Sequence, residues 1–536
     1  LDDAAADHLR VVACRRHGAH NFVLVLMNCR HLPGGCGGHA ARATHVAVSQ
    51  TSTTRLQQRG TISDLALAIR TAPLPAATQL RAPADFVSCR RMPGGCGGRK
   101  ARRVPQIDNS TSSICEESPT SVLTAATVAQ MASAWNPSVA QATALRRVAD
   151  ALHDGSTTVN VVTLGGSMVA GAGMRADCHS LKGGEEPRCS FANVFATWLA
   201  QCAARTPALV HHENRAHPGM TTAGSMPSLT GLLGGDAPID LLLVDYSVND
   251  AHESATSTAA ATEALLLHLG LRHPQTAVLL VDAYCEPGSA SNVSMAKQRV
   301  ARAYGVPFLS FRRAIAVSCQ HAWQGETSNH PAGQTHRDIA LMIRHWWKAM
   351  TARPLSEGLS NFVVPPSRPL HADSAAFGGC TPRSIFDPRA PDANAGAVRV
   401  TTGEWRAYAD RANKPGWITT GPTGSTIEFD LAFGATPRLF LVYERGYEGF
   451  GEAAVWLKGA LRNRNFIQKC REKQSIRCMV LGPPYHALDG IRSDGSRVTQ
   501  SALQVYQYGI QPNANDTLVV RTTSSRKFKL RYVASC

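Results

Sequence analysis

Residues 161–171, Val-Val-Thr-Leu-Gly-Gly-Ser-Met-Val-Ala-Gly, decide how the middle of this 536-residue chain is read. An apolar strand runs into two glycines and a serine, and glycine permits the tight turn that presents a hydroxyl at a strand's end. The pattern is not the Gly-x-Ser-x-Gly elbow, and a lone Gly-Gly-Ser is common in loops. Two distant segments give it meaning. Residues 241–250, Leu-Leu-Leu-Val-Asp-Tyr-Ser-Val-Asn-Asp, read as a second buried strand that ends at the amide of Asn249. Asn329-His330-Pro331 puts a histidine just ahead of a helix. A nucleophile, an amide donor and a base are what acyl transfer requires.

The segments between alternate in period. Leu145, Val148, Ala149 and Leu152 fall at helical spacing, and Gly155 can end that helix. Residues 159–164 read as a strand, and Phe191, Val194, Phe195, Trp198, Leu199 and Cys202 as a broad apolar helix face. Strands follow at Ile239–Val244, Ala277–Asp282 and Val306–Leu309, with helices over about 256–271, Ser294–Tyr304 and Gln334–Met350. Strands alternating with helices predict a parallel sheet covered on both faces. Ligands bind such sheets at the carboxyl ends of the strands, where Ser167 and Asn249 both fall. Between them, Asn214-Arg-Ala-His-Pro-Gly219 offers a glycine N–H.

The order Gly-Gly-Ser167, Asn214-x-x-x-x-Gly219, Asn249-Asp250, His330-Pro331 resembles the SGNH hydrolases, also called GDSL esterases, over about residues 155–350. The resemblance implies a three-layer α/β/α fold with a flavodoxin-like parallel sheet. It implies Ser167 as nucleophile and His330 as base. The N–H groups of Ser167 and Gly219 and the Asn249 side chain would form the oxyanion hole, with no metal and no cofactor. Three positions depart from the pattern. Gly166 stands where the family name has Asp, a variant found among relatives; Ser247 stands where a glycine is typical. Thr327 occupies the position of the acid three residues before the histidine, and Glu326, one residue earlier, is the candidate acid. Without it the site is a Ser-His dyad whose imidazole is oriented by a backbone carbonyl. The expected activity is hydrolysis of a carboxylic ester, with O-acetylated polysaccharide as the substrate that the context suggests. An inactive glycan-binding scaffold and an O-acyltransferase using the same serine are the competing readings.

After residue 355 the texture turns to short alternating strands punctuated by Gly, Pro and Asn. Candidates are 426–433, Arg438–Glu444, Ala454–Lys458, Leu503–Tyr508, Thr517–Arg521 and 527–533, which predict a β-sandwich over 356–536. Trp405, Trp417, Tyr447 and Trp456 are either sugar-stacking aromatics or core. Residues 1–119 form the third division, ahead of the α/β domain at 120–355. This segment is basic, with 15 Lys/Arg against 6 Asp/Glu in residues 1–110. It is expected to be largely irregular. Cys29-Arg-His-Leu-Pro-Gly-Gly-Cys36 recurs as Cys89-Arg-Arg-Met-Pro-Gly-Gly-Cys96. Zinc ligands usually sit two to four residues apart, so the longer spacing here, even with His31 or His39, argues against a metal. No aromatic residues interleave with the basic charges, which disfavours single-stranded nucleic acid as a partner.

The formal net charge is +16 and there are 15 cysteines. That many cysteines points to an oxidising compartment, secreted or in the secretory lumen. Sequons at Asn109, Asn292 and Asn515 agree with it. No apolar run reaches 18 residues, so no transmembrane helix is expected, and no segment reads as a signal peptide. Cys178–Cys189 is expected to staple an insertion beside the active site, and Cys470–Cys478 to form a local clasp in the sandwich.

Overall fold

The computed structural model describes residues 9–14, 22–28 and 44–48. From 122 to 536 it describes all but 156, 204–208, 235–237, 286–289, 316, 324–329, 353–361, 378–381, 392–395, 412–413, 460–485, 492–498 and 507–509. The chain divides into two compact units, Leu1–Arg99 and Lys100–Cys536. The first contains three strands, β1 (Leu9–Cys14), β2 (Phe22–Asn28) and β3 (Thr44–Val48), paired antiparallel in the order β1-β2-β3. Sequence reading had assigned no strand to this stretch, although Val, Leu and Ile-like runs such as Phe22-Val-Leu-Val-Leu favour the pleat. The repeated cysteine segments lie outside the described residues, as do Cys470 and Cys478.

The second unit opens with an α/β part. Its strands are β4 (Val159–Gly165), the hairpin β5 (Ala172–Met174) and β6 (Ser180–Glu185), β7 (Val210–Asn214), β8 (Leu241–Asp245), β9 (Ala277–Asp282) and β10 (Phe308–Ser310). Five of them form one sheet in the order β10-β9-β8-β4-β7, every pair parallel. Renumbered within the sheet this is 2-1-3-4-5, the flavodoxin-like order, and β4 is the strand at which the winding reverses. The edge strand β7, Val-His-His-Glu-Asn, is polar and half-exposed, which is why periodicity did not single it out.

Alternation along the central strands divides the core. Val159, Val161, Leu241, Leu243 and Leu279 face a layer closed by the helices Val139–Asp154, Phe191–Trp198 and Gly333–Thr351. Val162, Leu164, Leu242, Val244, Val278 and Leu280 face the other way, onto Ala255–Arg272 and Ala290–Ala303.

The β part is a sandwich of two antiparallel sheets. One runs β13 (Arg406–Ala409), β14 (Pro415–Thr419), β21 (Phe528–Ser535), β16 (Leu439–Arg445), β19 (Gln500–Tyr506), with β11 (Ser384–Phe386) on β21. The other runs β12 (Val398–Thr402), β15 (Thr426–Ala432), β20 (Asn515–Thr522), β17 (Glu452–Leu457), β18 (His486–Asp489). Leu439, Leu441, Leu530 and Val533 meet Ile427, Phe429, Val455 and Leu518 between the sheets. Trp405 and Trp417 belong to this core, which removes them from the sugar-stacking candidates; Tyr447 is 47% exposed.

The first of these sheets is buried on both faces. Phe440 and Val442 of β16 and Tyr532 and Ala534 of β21 point away from the sandwich interior and join the second apolar layer of the α/β part. A fully buried Phe or Val side chain contributes roughly 1.5–3 kcal/mol, so this shared layer fixes the β part against the α/β part. Glu263 locks the segment that leads into it. Its buried carboxylate accepts from the N–H groups of Leu370 and His371, from Ser374 Oγ and from Tyr304 Oη.

Candidate active site

Of the residues singled out by sequence, Ser167 follows the carboxyl end of β4 and Asn249 that of β8. β4 ends at Gly165, Gly166 N–H donates to the carbonyl of Asp245 at 3.0 Å, and Ser167 opens a one-turn helix, Ser167–Ala170, with 6% of its surface exposed. β8 ends at Asp245 and leads through Tyr246 into the turn Ser247–Asp250. The Asn249 side chain reaches back across this edge. A Cβ at Gly166 would stand 2.5 Å from Asn249 Nδ2, so any other residue before the serine would displace the amide. Gly166, read from the sequence as a variant of the usual Asp, is thus required by close approach.

Asn249 Nδ2 also donates to the Met220 carbonyl at 2.7 Å. This holds the loop that carries Gly219, whose φ of +81° is open to glycine and strained for any other residue. Asp250 finishes the anchoring. Its carboxylate accepts from Thr222 N (2.8 Å) and Thr222 Oγ1 (2.6 Å), and Lys297 Nζ lies 2.8 Å from it, all buried. The pair Asn249-Asp250 therefore does two tasks: the amide borders the serine turn and the carboxylate fastens the glycine loop. Asn214 serves the same edge by donating to the carbonyls of Val169 (2.7 Å) and the Asn193 side chain (3.0 Å).

Ser247, which replaces a glycine of the pattern, has a use for its hydroxyl. Tyr284 N–H donates to Ser247 Oγ at 2.9 Å, and Ser247 N–H donates to Asp245 Oδ1 at 2.9 Å. Burial pushes the Asp245 carboxyl up to about 6 against these amide contacts.

His330 packs on β5, six residues beyond the serine: a Cβ at Gly173 would stand 2.6 Å from His330 Cβ. Burial, and then the Lys414 ammonium, hold the imidazole down to about 4, so it is neutral near pH 7. A neutral imidazole is the form that takes a proton. Glu326 and Thr327 lie outside the described residues. The staple expected at the rim is present as a Cys178–Cys189 disulfide with Cα atoms 5.3 Å apart, and a second bridge joins Cys285 to Cys319. Cys202 and Cys536 are disulfide-bonded as well.

Sequence reading missed what the β part brings to this edge. Ser501 N–H of β19 donates to the Gly219 carbonyl at 2.7 Å, and Gln500 Nε2 donates to Glu253 Oε1 at 2.7 Å. Arg389 Nη1 is hydrogen-bonded to His217 Nε2 at 2.7 Å. A Cβ at Gly219 would meet Lys414 Nζ at 3.2 Å. Nothing in the spacing of these residues signals a site 170 to 280 positions away in the chain. Among the described residues no group of His, Cys, Asp and Glu is arranged to hold a metal ion, and no helix is long and apolar enough to cross a membrane.

No family model matches the sequence, and no curated protein does. Among solved structures, a two-domain esterase active on acetylated mannans superposes with a TM-score of 0.52 at 16% identity, over 75% of this chain and 97% of that one. The same esterase co-crystallised with mannopentaose gives 0.49 at 16% identity, over 73% and 94%. A lipase/acylhydrolase from Enterococcus faecalis matches at a TM-score of 0.28 and 15% identity, over 37% of this chain and 100% of its own. At these identities the likeness is one of fold, and with the mannan esterase it covers more of the chain than the α/β part alone.

Proposed function

We propose that this chain is a serine esterase of the SGNH type that removes acyl groups, acetyl foremost, from a glycan. Ser167 Oγ attacks the ester carbonyl while His330 takes its proton. The tetrahedral oxyanion is held by the N–H groups of Ser167 and Gly219 and by the Asn249 amide. Collapse expels the alcohol, which receives the proton from His330, and water releases the acyl group by the same steps in reverse roles. Glu326 is assigned the carboxylate that orients the imidazole. The observation that carries the reading is the approach of the Asn249 amide to the backbone of Gly166, with the Gly219 loop tied to the same amide through Met220.

Acetylated glycan is chosen because a two-domain esterase of similar architecture is active on acetylated mannans. The division at about residues 120–355 and 356–536 is proposed on the change from α/β to all-β structure. Two disulfides support action in an oxidising compartment, secreted or luminal.

Labelling with a fluorescent fluorophosphonate, on the wild type and on Ser167→Ala, tests the nucleophile. Labelling that disappears in the variant is expected, together with loss of p-nitrophenyl acetate hydrolysis by more than about 10⁴-fold. A well-folded wild type that does not label would sink the reading. Acetate release from acetylated mannan then tests the substrate class.

A further inference from the structure

The β part holds more buried cations near this site than its anions can pair. Lys529 Nζ, fully buried on β21, lies 2.7 Å from Glu444 Oε2 and 2.5 Å from Asp410 Oδ1. Lys527 Nζ takes the other oxygen of Asp410 at 2.9 Å, and Arg531 Nη1 lies 3.9 Å from Glu444. Both carboxylates are thereby engaged by β21. Lys414, just ahead of β14, is the cation left over. It is partly buried, and among the described residues its ammonium makes no hydrogen bond and no ion pair. Its Nζ stands instead 3.2 Å from the point where a Gly219 Cβ would be, and it is the charge that acts on His330.

An ammonium taken from water without a fixed counter-ion is costly. The cost has a return if negative charge develops beside it, and in a desolvated site such a charge acts far more strongly than in water. The place where it would develop is the oxyanion position that Gly219 borders. The β part also sets the distance, because Ser501 N–H of β19 holds the Gly219 carbonyl.

We propose that Lys414 is a catalytic residue contributed by the β part, its ammonium stabilising the oxyanion beside Gly219. The proposal rests on the esterase reading above and names a further group for that site. The charges facing Lys414 are Glu444 of β16, Lys529 and Arg531 of β21, Arg411 of its own segment and His330 of the α/β part. Burial, with Arg531, Arg411 and Lys529, and against Glu444, holds the Lys414 amine down to about 8. The charge therefore titrates within the working range of an esterase.

The test is steady-state hydrolysis of p-nitrophenyl acetate by the full chain between pH 5 and 9.5, for the wild type, Lys414→Met and Lys414→Arg. Lys414→Met is expected to lower kcat about 100-fold with KM within about two-fold, and Lys414→Arg to recover part of the loss. Wild-type kcat should fall above about pH 8, and that limb should be missing in Lys414→Met. The acid limb should move to higher pH in Lys414→Met, because the cation that disfavours His330 protonation is gone. An unchanged kcat and profile would overturn the proposal, as would a loss confined to KM, which marks a substrate-binding group. Should Lys414→Met fail to fold, the wild type decides alone, and a kcat flat through pH 9.5 counts against Lys414. An active wild type that labels at Ser167 but ignores Lys414 refutes this proposal only; an inert wild type removes the esterase reading with it.

Discussion

Two buried charge clusters flank the Gly219 loop, and they are built on opposite plans. On the α/β side Asp250 is closed: the Lys297 ammonium and the Thr222 amide and hydroxyl fill its lone pairs, and the buried Asp282 and Asp245 carboxylates act on the same ammonium. On the β side Glu444 and Asp410 are surrounded by Lys527, Lys529, Arg531 and Lys414, a surplus of positive charge. A closed cluster exerts little field beyond itself and mainly fixes geometry; an open one stores little rigidity and projects potential into its neighbourhood. The loop between them is thus held from one side and electrically biased from the other.

The sharpest way to break this contrast is Asp250→Ala. It strands the Lys297 ammonium and the Thr222 amide in the interior, and a buried pair losing one partner costs about 3–5 kcal/mol. Urea unfolding should show that loss; a change below about 1 kcal/mol would mean the cluster is not the fastener described. Next comes Asn249→Ala, which should raise the barrier by about 2.7–4 kcal/mol, seen as kcat 10²–10³-fold lower, while stability falls by only about 1 kcal/mol for the Met220 bond. A variant that loses stability but keeps kcat would turn Asn249 into a second fastener.

Acid probes the same contrast by adding positive charge. His336, buried under the site, accepts a hydrogen bond from Phe191 N–H on Nδ1, and burial followed by His330 holds it down from 6.5 to about 3. The unfolded chain gains its proton near pH 6.5 while the folded chain does not. Its contribution is therefore full above pH 6.5 and is lost as the pH falls toward 3, by up to about 1.4 kcal/mol per pH unit. His336→Asn should flatten that slope in urea titrations at pH 6.5 and 4.5; equal slopes would contradict it. The smallest effect belongs to Ser247→Gly, about 1 kcal/mol for the Tyr284 bond, with kcat unchanged.

Much of the α/β part was legible in the sequence because burial there is written in periodicity. Ala277–Asp282 was bounded as observed, and Gly155 does end the helix Val139–Asp154 in the left-handed conformation. The strand β7 was not legible, since an edge strand with His and Glu lacks an apolar signature. In the β part, β11, β12, β13, β14 and β18 escaped notice for being short, exposed or rich in Pro and Gly. Ser167, Gly219, Asn249 and His330 could be selected because order along the chain distinguishes them from other serines and histidines. Lys414 had no such marker: its meaning comes from Lys414 and β19 lying against the Gly219 loop, a long-range fact that local spacing does not encode.

The two-sided burial of β16 and β21 bears on how this protein could have been assembled. A module that is portable in evolution keeps its oily surface to itself and offers water-compatible skin to whatever it is joined to. Here Phe440, Val442, Tyr532 and Ala534 would become a greasy outer panel if residues 356–536 were expressed alone, and such panels drive association. The β part is therefore not a detachable appendage. Its removal would also uncover Met226 and its neighbours, which meet β21 and β19, so the two halves are solvent shields for one another, and neither is expected to travel to another gene without the other.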